Sequence, residues 1–142
     1  MLVLDTNVVV RACQRPDGFD FLADSDLHAP ALMWSEARSV IREALWREEI
    51  STRQADTARR AVDACPVQAH TPTEISEQAW TLSVELGWAK TYDAEYVALA
   101  QLLGCRLVTV DMRLRRGTDR LGFVITPAEL KPAPAEQPDA GS

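Results

Sequence analysis

Short apolar runs alternate with longer amphipathic segments along this chain. Residues 1–4 and 105–110 have the composition of buried strands, and an aspartate directly follows each of them. Strands that are apolar on both faces belong in a parallel sheet that is covered on both sides. Pro30 interrupts another run and predicts a bulge or a sheet edge there. We predict five strands in all, at residues 1–4, 27–32, 66–71, 105–110 and 122–126.

The amphipathic segments predict helices. Residues 35–49 repeat apolar side chains three and four positions apart, and Ser35 is suited to cap the helix start. Residues 91–104 repeat this pattern and end at Gly104, a common helix terminator. Because strands alternate with helices, we predict an α/β fold with a mainly parallel central sheet. Further helices are predicted at residues 52–64, from about Thr73 to Gly87, and at 127–130.

The length fits one domain with a tail. The chain has 142 residues, of which 46% are hydrophobic and 25% charged, as in ordinary globular proteins. We predict a single domain over residues 1–130. Residues 131–142 are rich in proline and alanine and have no apolar periodicity, so we predict a disordered tail there.

Net charge and cysteine content limit which binding partners and which cellular compartment the sequence favours. The net charge of -6 argues against binding nucleic acid through bulk positive charge, although a bound divalent cation can reverse the sign of a local site. Three widely spaced cysteines form neither a disulfide framework nor a zinc pattern. No secretory leader and no apolar stretch of ~20 residues is visible. We therefore predict a cytoplasmic protein without membrane association.

Four acidic residues are predicted to meet at one edge of the sheet. Asp5 and Asp111 follow two strands, and the carboxyl ends of parallel strands share the edge where ligands bind in such folds. The helix at 91–104 must run antiparallel to the strand that follows it, so Asp93 in its first turn returns to the same edge. The same argument places Glu36 there, because it begins the helix after the second strand.

The four carboxylates together favour a metal site. Clustered carboxylates repel each other unless a proton or a cation joins them. Oxygen ligands suit Mg²⁺ or Mn²⁺ rather than zinc, and such ions activate water and stabilise the leaving oxygen of a phosphodiester. Taken singly, each acid has a simpler explanation as a helix cap. The shared edge is what favours the metal.

Other residues are open to more than one interpretation. Arg113, Arg115 and Arg116 follow Asp111 closely, and they fit a nucleic-acid backbone contact and a solvated surface equally well. The four tryptophans fall mostly at helical spacing and are expected in the core or an interface. His28 and His70 have no partner at metal-ligand spacing, so neither is assigned a role.

Four segments resemble the acidic motifs of PIN domains. "LDTNVVV" (4–10) is similar to the first motif, and "APALMWSEARSVI" (29–41) to the stretch that carries the second acid. "YDAEYVALA" (92–100) and "LVTVDMRL" (107–114) resemble the third and fourth motifs, in the expected order. The single-domain layout resembles VapC-type toxins of bacterial toxin–antitoxin pairs. The resemblance covers the chain from its start to about Leu130.

This resemblance implies a three-layer α/β/α fold and an endoribonuclease that depends on Mg²⁺ or Mn²⁺. It also implies a homodimer and an antitoxin that lies across the site. Asn7 and Thr109 match polar positions that orient carboxylates or water. The catalytic and metal-binding acids that it implies are Asp5, Glu36, Asp93 and Asp111.

Two alternatives stay open. A phosphatase of the haloacid-dehalogenase kind also carries an aspartate after its first strand. It normally needs a second aspartate where Asn7 stands and a downstream lysine, for which Lys90 is the internal candidate. A non-catalytic PIN-like module that binds RNA or a partner would not need the complete set of four acids.

Overall fold

The computed structural model describes residues 1–130 and shows the predicted α/β fold. Its five strands form one sheet in the order β3-β2-β1-β4-β5, and every neighbouring pair is parallel. The strands are β1 (Leu2–Leu4), β2 (Leu27–Pro30), β3 (Val67–His70), β4 (Arg106–Val108) and β5 (Val124–Ile125). The α-helices in the described residues are α1 (Thr6–Cys13), α2 (Leu32–Trp46), α3 (Thr52–Asp63), α4 (Pro72–Leu86), α5 (Tyr92–Leu103) and α6 (Met112–Gly117).

The helices form two groups, as a layered architecture requires. Helices α1, α2 and α3 pack against one another, while α4 packs on α5 and α5 lies across β1, β2 and β4. Every residue of β1 is buried, which fits a strand covered on both faces. Short 3-10 turns complete the described chain at Asp20–Leu22, Asp119–Leu121 and Pro127–Leu130.

Strand β1 is the centre of the sheet and the origin of the site. Its Val3 pairs with His28 of β2 on one side and with Leu107 of β4 on the other. The chain builds outward from β1 through β2 to β3, and then returns to add β4 and β5 on the opposite side. Such a reversal of strand order opens a crevice at the carboxyl ends of the two strands that flank it. That crevice lies between the end of β1 and the end of β4.

Several predicted boundaries were wrong. Helix α2 begins at Leu32 rather than after Ser35, because β2 ends at Pro30 and the chain turns directly into the helix. Strand β2 is internal, so Pro30 marks neither an edge nor a bulge. As the last residue of the strand, it stands where a missing amide is tolerated. The amide of Ala31 continues the pairing by donating to the His70 carbonyl at 2.8 Å.

Hydrogen bonds at the helix ends determine where α3 and α4 begin. The hydroxyl of Ser51 accepts a hydrogen bond from the Gln54 amide at 3.1 Å, and the Gln54 side chain accepts from the Ser51 amide at 2.8 Å. Helix α4 begins at Pro72, ahead of the predicted Thr73, and the Thr71 amide just before it donates to the Glu74 carboxylate at 3.3 Å. Helix α6 was not predicted, since its six residues are too few to show a periodicity.

The core is built from small and branched side chains, and Tyr96 is its largest fully buried residue. Trp34 and Trp88 are partly buried against this core, as predicted for tryptophan. Trp46 and Trp80 are instead 72% and 66% exposed. All three cysteines are free thiols, and no helix in residues 1–130 is long and apolar enough to cross a membrane. The predicted tail at 131–142 lies outside the described residues.

Candidate active site

The structure brings the four predicted acids together. A cleft of about 250 Å³ at the carboxyl edge of the sheet is lined by Asp5, Glu36, Asp93 and Asp111, and Asn7 also faces it. Each acid arrives on a different element: the end of β1, the second turn of α2, the first turn of α5 and the cap of α6. The directions of helices and strands are therefore enough to explain why residues so far apart in sequence converge.

Asp5 is buried and firmly held. Its Oδ1 accepts a hydrogen bond from the Thr6 amide, and its Oδ2 accepts one from the Thr109 hydroxyl, both at 2.8 Å. Its own amide donates to the Val108 carbonyl of β4 at 3.0 Å. Burial raises the pKa of Asp5 to about 6 although these two hydrogen bonds oppose the shift, and the charges of Asp93 and Glu36 add to it. The carboxylate is fixed in place and poorly compensated.

Thr109 connects two of the acids. Its side chain is fully buried, and its hydroxyl donates to Asp5 while accepting a hydrogen bond from the Asp111 amide at 3.0 Å. A single hydroxyl therefore uses its one proton on Asp5 and a lone pair on the backbone of Asp111. This geometry suits the orienting role that sequence resemblance implied for Thr109.

Glu36 is held by two residues that the sequence did not single out. Its Oε1 accepts a hydrogen bond from the buried Tyr96 hydroxyl at 2.7 Å and another from the Thr6 hydroxyl at 3.1 Å. The Thr6 and Tyr96 hydroxyls also lie 2.5 Å apart. Burial raises the pKa of Tyr96 above its ordinary value, so the phenol keeps its proton and remains a hydrogen-bond donor. The available signal was adjacency, since Thr6 follows Asp5 and Tyr96 lies three residues after Asp93.

Asp93 and Asp111 form the more open side of the cleft. The Oδ1 of Asp111 caps α6 by accepting from the amides of Arg113 and Leu114 at 2.9 and 3.3 Å. Within residues 1–130 no side-chain hydrogen bond or ion pair engages Asp93. Partial burial and the charge of Asp111 raise the pKa of Asp93, and Arg113 opposes this shift. The two carboxylates are close enough to interact through their charges.

The donor set fits a hard divalent cation in its chemistry. All four side chains offer carboxylate oxygens to the same cleft. No group of three or more histidine, cysteine, aspartate or glutamate side chains in the described part is arranged to hold a metal as it stands. Protein donors engage both oxygens of Asp5, but only Oε1 of Glu36 and only Oδ1 of Asp111.

The three candidate arginines differ in position. Arg113 lines a second cleft that includes Asp93 and Asp111. Arg115 is instead engaged by Asp119 at 2.7 Å and by Glu129 at 3.1 Å, and Arg116 donates to the Met112 carbonyl at 3.2 Å. Of the three, Arg113 is the one that lines a cleft with the acids.

The two histidines are not isolated in space. His28 Nδ1 lies 2.9 Å from His70 Nε2, because β2 and β3 are neighbours in the sheet. Their separation in sequence hides this contact. They lie in no metal-binding group within residues 1–130.

Comparison with known proteins agrees with this architecture. The family model described as PIN domain matches residues 2–119. Ribonuclease VapC9 of Mycobacterium tuberculosis is 32% identical over 116 residues, which cover 80% of this chain and 88% of that protein. Ribonuclease VapC1 of the same species is 39% identical over 98 residues, which cover 66% of this chain and 68% of that protein.

Solved structures show the same fold. PAE2754 from Pyrobaculum aerophilum matches with a TM-score of 0.70 at 21% identity, covering 91% of this chain and 85% of that one. A toxin-antitoxin complex from Klebsiella pneumoniae matches with a TM-score of 0.62 at 21% identity, covering 89% of this chain and 98% of that one. At these identities the likeness concerns the fold.

Proposed function

The chain belongs to the PIN-domain family, and on that premise we propose that it is a divalent-metal-dependent endoribonuclease, the toxin of a toxin–antitoxin pair. The observation that carries the proposal is the single cleft lined by Asp5, Glu36, Asp93 and Asp111. The relatives named as VapC ribonucleases support RNA as the substrate. We further propose that the protein acts in the cytoplasm, where RNA is accessible.

The four acids are the proposed catalytic and metal-binding residues, with Mg²⁺ or Mn²⁺ as the cation. A bound cation would offset the repulsion between the carboxylates, activate water and neutralise charge on the phosphodiester. The chain's own contribution is orientation: Thr109 and the Thr6 amide hold Asp5, and Tyr96 holds Glu36.

The remaining polar residues have supporting roles in this proposal. Asn7 is exposed at the cleft and is available to orient water or substrate. Arg113 is the favoured contact for the RNA backbone, because it lines the neighbouring cleft and its charge acts on Asp93. Arg115 and Arg116 are less favoured, because protein acceptors already engage their side chains.

Partners follow from the family and its relatives. We propose that an antitoxin protein covers the cleft and that the protein forms a homodimer. The fold match to a toxin-antitoxin complex supports the first part. Exposed apolar side chains such as Trp80 and Val84, one helical turn apart on α4, offer surface for protein contacts.

The family match weakens the phosphatase alternative. Lys90 does line the second cleft, as a phosphatase of that kind would need. Asn7 still stands where the second aspartate is required, and the family match is to PIN domains. Binding of Mn²⁺ by the purified protein distinguishes the non-catalytic alternative.

The test is RNA cleavage by the purified protein. We expect cleavage in Mg²⁺ or Mn²⁺, loss of cleavage in chelator, and loss in the Asp5→Asn variant with its circular dichroism spectrum unchanged. Chelator-resistant cleavage would contradict the metal, and turnover of a phosphate monoester with RNA untouched would favour the phosphatase. Absence of Mn²⁺ binding in calorimetry would favour the non-catalytic module.

The toxin role needs a separate test. Expression of the chain alone should arrest growth, and co-expression with the neighbouring reading frame should relieve that arrest. Sequencing the ends of the cleaved RNA would then identify the target. If the chain does not arrest growth although it cleaves RNA in solution, the toxin role is wrong and the ribonuclease remains.

A further inference from the structure

A second cleft adjoins the acids and differs from the first in chemistry. Its volume is about 580 Å³, and it shares Glu36, Asp93 and Asp111 with the acidic cleft. The rest of its lining comes from the loop between α4 and α5, from the first residue of α5 and from the start of α6. The side chains of interest in that lining are Trp88, Lys90, Tyr92 and Arg113.

The two cations of this cleft are not held in ion pairs, although the charge of Arg113 also acts on Asp93. Lys90 and Arg113 form no ion pair within residues 1–130, although carboxylates lie in the same cleft. The arginines that form such pairs in the described chain are Arg15, Arg38, Arg47, Arg59 and Arg115. Lys90 is also the only lysine within residues 1–130. Both cations are therefore available for an external anion beside the acids.

Two aromatic residues accompany these cations. The Tyr92 side chain is 57% exposed, whereas Ala94 and Tyr96 further along α5 are buried in the core. Trp88 is partly buried against the core, and its amide donates to the Ser83 carbonyl at 2.8 Å after Gly87 turns the chain with a φ of +70°. The indole is thus held by packing and by its backbone. An anchored aromatic and an exposed one border the same cleft.

We propose that this second cleft binds a nucleotide of single-stranded RNA next to the phosphodiester that is cut. Tyr92 and Trp88 provide surfaces on which a base stacks, and Lys90 and Arg113 contact the flanking phosphates. The proposal rests on the proposed ribonuclease function. It also accounts for RNA binding by a protein of net charge -6, since the required positive charge is local.

Binding of a labelled RNA tests the proposal directly. The probe is a short mixed-sequence single-stranded oligoribonucleotide with a terminal fluorophore, and the protein is the Asp5→Asn variant in Mg²⁺, which prevents cleavage during the measurement. Tyr92→Ala in this background should weaken binding about 10-fold, while Tyr92→Phe should not, because stacking needs only the ring. Trp46→Ala is the matched control, because Trp46 is an exposed aromatic at the far end of α2.

The role of the positively charged side chains is tested with a separate variant and control. Lys90→Gln should weaken binding and reduce the slope of affinity against salt by about one counterion. Arg106→Gln should leave both unchanged, because Arg106 is exposed at the start of β4, on the opposite edge of the sheet. In the cleaving parent, Tyr92→Ala should raise KM more than it lowers kcat.

These experiments distinguish failure of the nucleotide-binding cleft from failure of the ribonuclease function. If the parent cleaves RNA while Tyr92→Ala and Lys90→Gln bind it as the parent does, the subsite is wrong and the ribonuclease stands. If the parent neither binds nor cleaves RNA, the function itself fails. If the same variants lose the antitoxin and keep RNA, the cleft belongs to a protein partner and the subsite is again wrong.

Discussion

The two halves of the acidic cleft are held in different ways. The inner half, Asp5 and Glu36, is fixed by side-chain hydroxyls from Thr6, Thr109 and Tyr96. In the outer half, Asp111 is held by helix-capping amides, and Asp93 by no described side-chain hydrogen bond. The inner carboxylates are positioned before anything binds, whereas we expect the outer ones to adjust to the bound cation and substrate.

Asp5→Asn should have the largest effect on activity. We expect RNA cleavage to fall by at least about 100-fold, since even the residues supporting a metal ligand are worth 10- to 100-fold. Circular dichroism should show an intact fold, because the asparagine oxygen can still accept from the Thr6 amide. An outer-half variant, Asp93→Asn, provides the comparison. Equal cleavage by Asp5→Asn and the parent would refute the assignment.

The second prediction concerns the pH dependence of stability in chelator. The folded-state pKa of Asp5 is about 6 against an ordinary 3.8, so the folded protein binds this proton more tightly than the unfolded chain. The free energy of unfolding should therefore fall as pH rises from about 4 to about 6, by up to about 3 kcal/mol from this residue.

Urea denaturation of the parent and of Asp5→Asn across that pH range measures this dependence. Other acids with raised pKa, such as Asp93 and Glu95, act in the same direction in both proteins, so the difference between the two curves isolates Asp5. If the two curves of unfolding free energy against pH are parallel, ionisation of Asp5 does not destabilise the folded protein.

Thr109→Val should have the next largest effect on RNA cleavage. The valine removes the donor to Asp5 and the acceptor for the Asp111 amide, so one change disturbs both halves of the cleft. We expect cleavage to fall about 10- to 100-fold and Mn²⁺ affinity to weaken. Thr109→Ser keeps the hydroxyl and should restore most of both. A valine variant with the parent's Mn²⁺ affinity would contradict the role.

Tyr96→Phe should cost less, about 10-fold in cleavage, because Thr6 still donates to Glu36. The ring continues to fill the core, so the free energy of unfolding should change by only about 1 kcal/mol. Tyr92→Phe is the matched control, since its ring lies outside the core. If Tyr96→Phe reduces stability strongly and leaves kcat and Mn²⁺ affinity alone, the hydroxyl is structural.

Arg115→Gln should have the smallest effect on cleavage. Its side chain pairs with Asp119 and Glu129, so its loss should lower the free energy of unfolding by at most about 1 kcal/mol. Arg113→Gln should instead reduce RNA affinity, because Arg113 lines a cleft with the acids. A reversed order, measured by RNA binding and by thermal unfolding, would exchange the roles of the two arginines.

Much of the fold followed from local signals. Strands β1, β4 and β5 were predicted because β-branched and aliphatic runs are readable in short windows. The helix that ends at Gly104 had a clear periodicity and a terminator. The start of α2 was misplaced because Ser35 looked like a cap, whereas the position of Pro30 in the sheet decided where the strand ended.

The sequence by itself determined which edge of the sheet carries Asp5, Glu36, Asp93 and Asp111, because chain direction follows from the alternation of strands and helices. Only the tertiary structure decided what holds them. Thr6 and Tyr96 meet across 90 positions of sequence, and their nearness in sequence to Asp5 and Asp93 does not specify that contact. Side-chain contacts of this kind depend on how helices rotate and pack on the sheet, which local patterns do not specify.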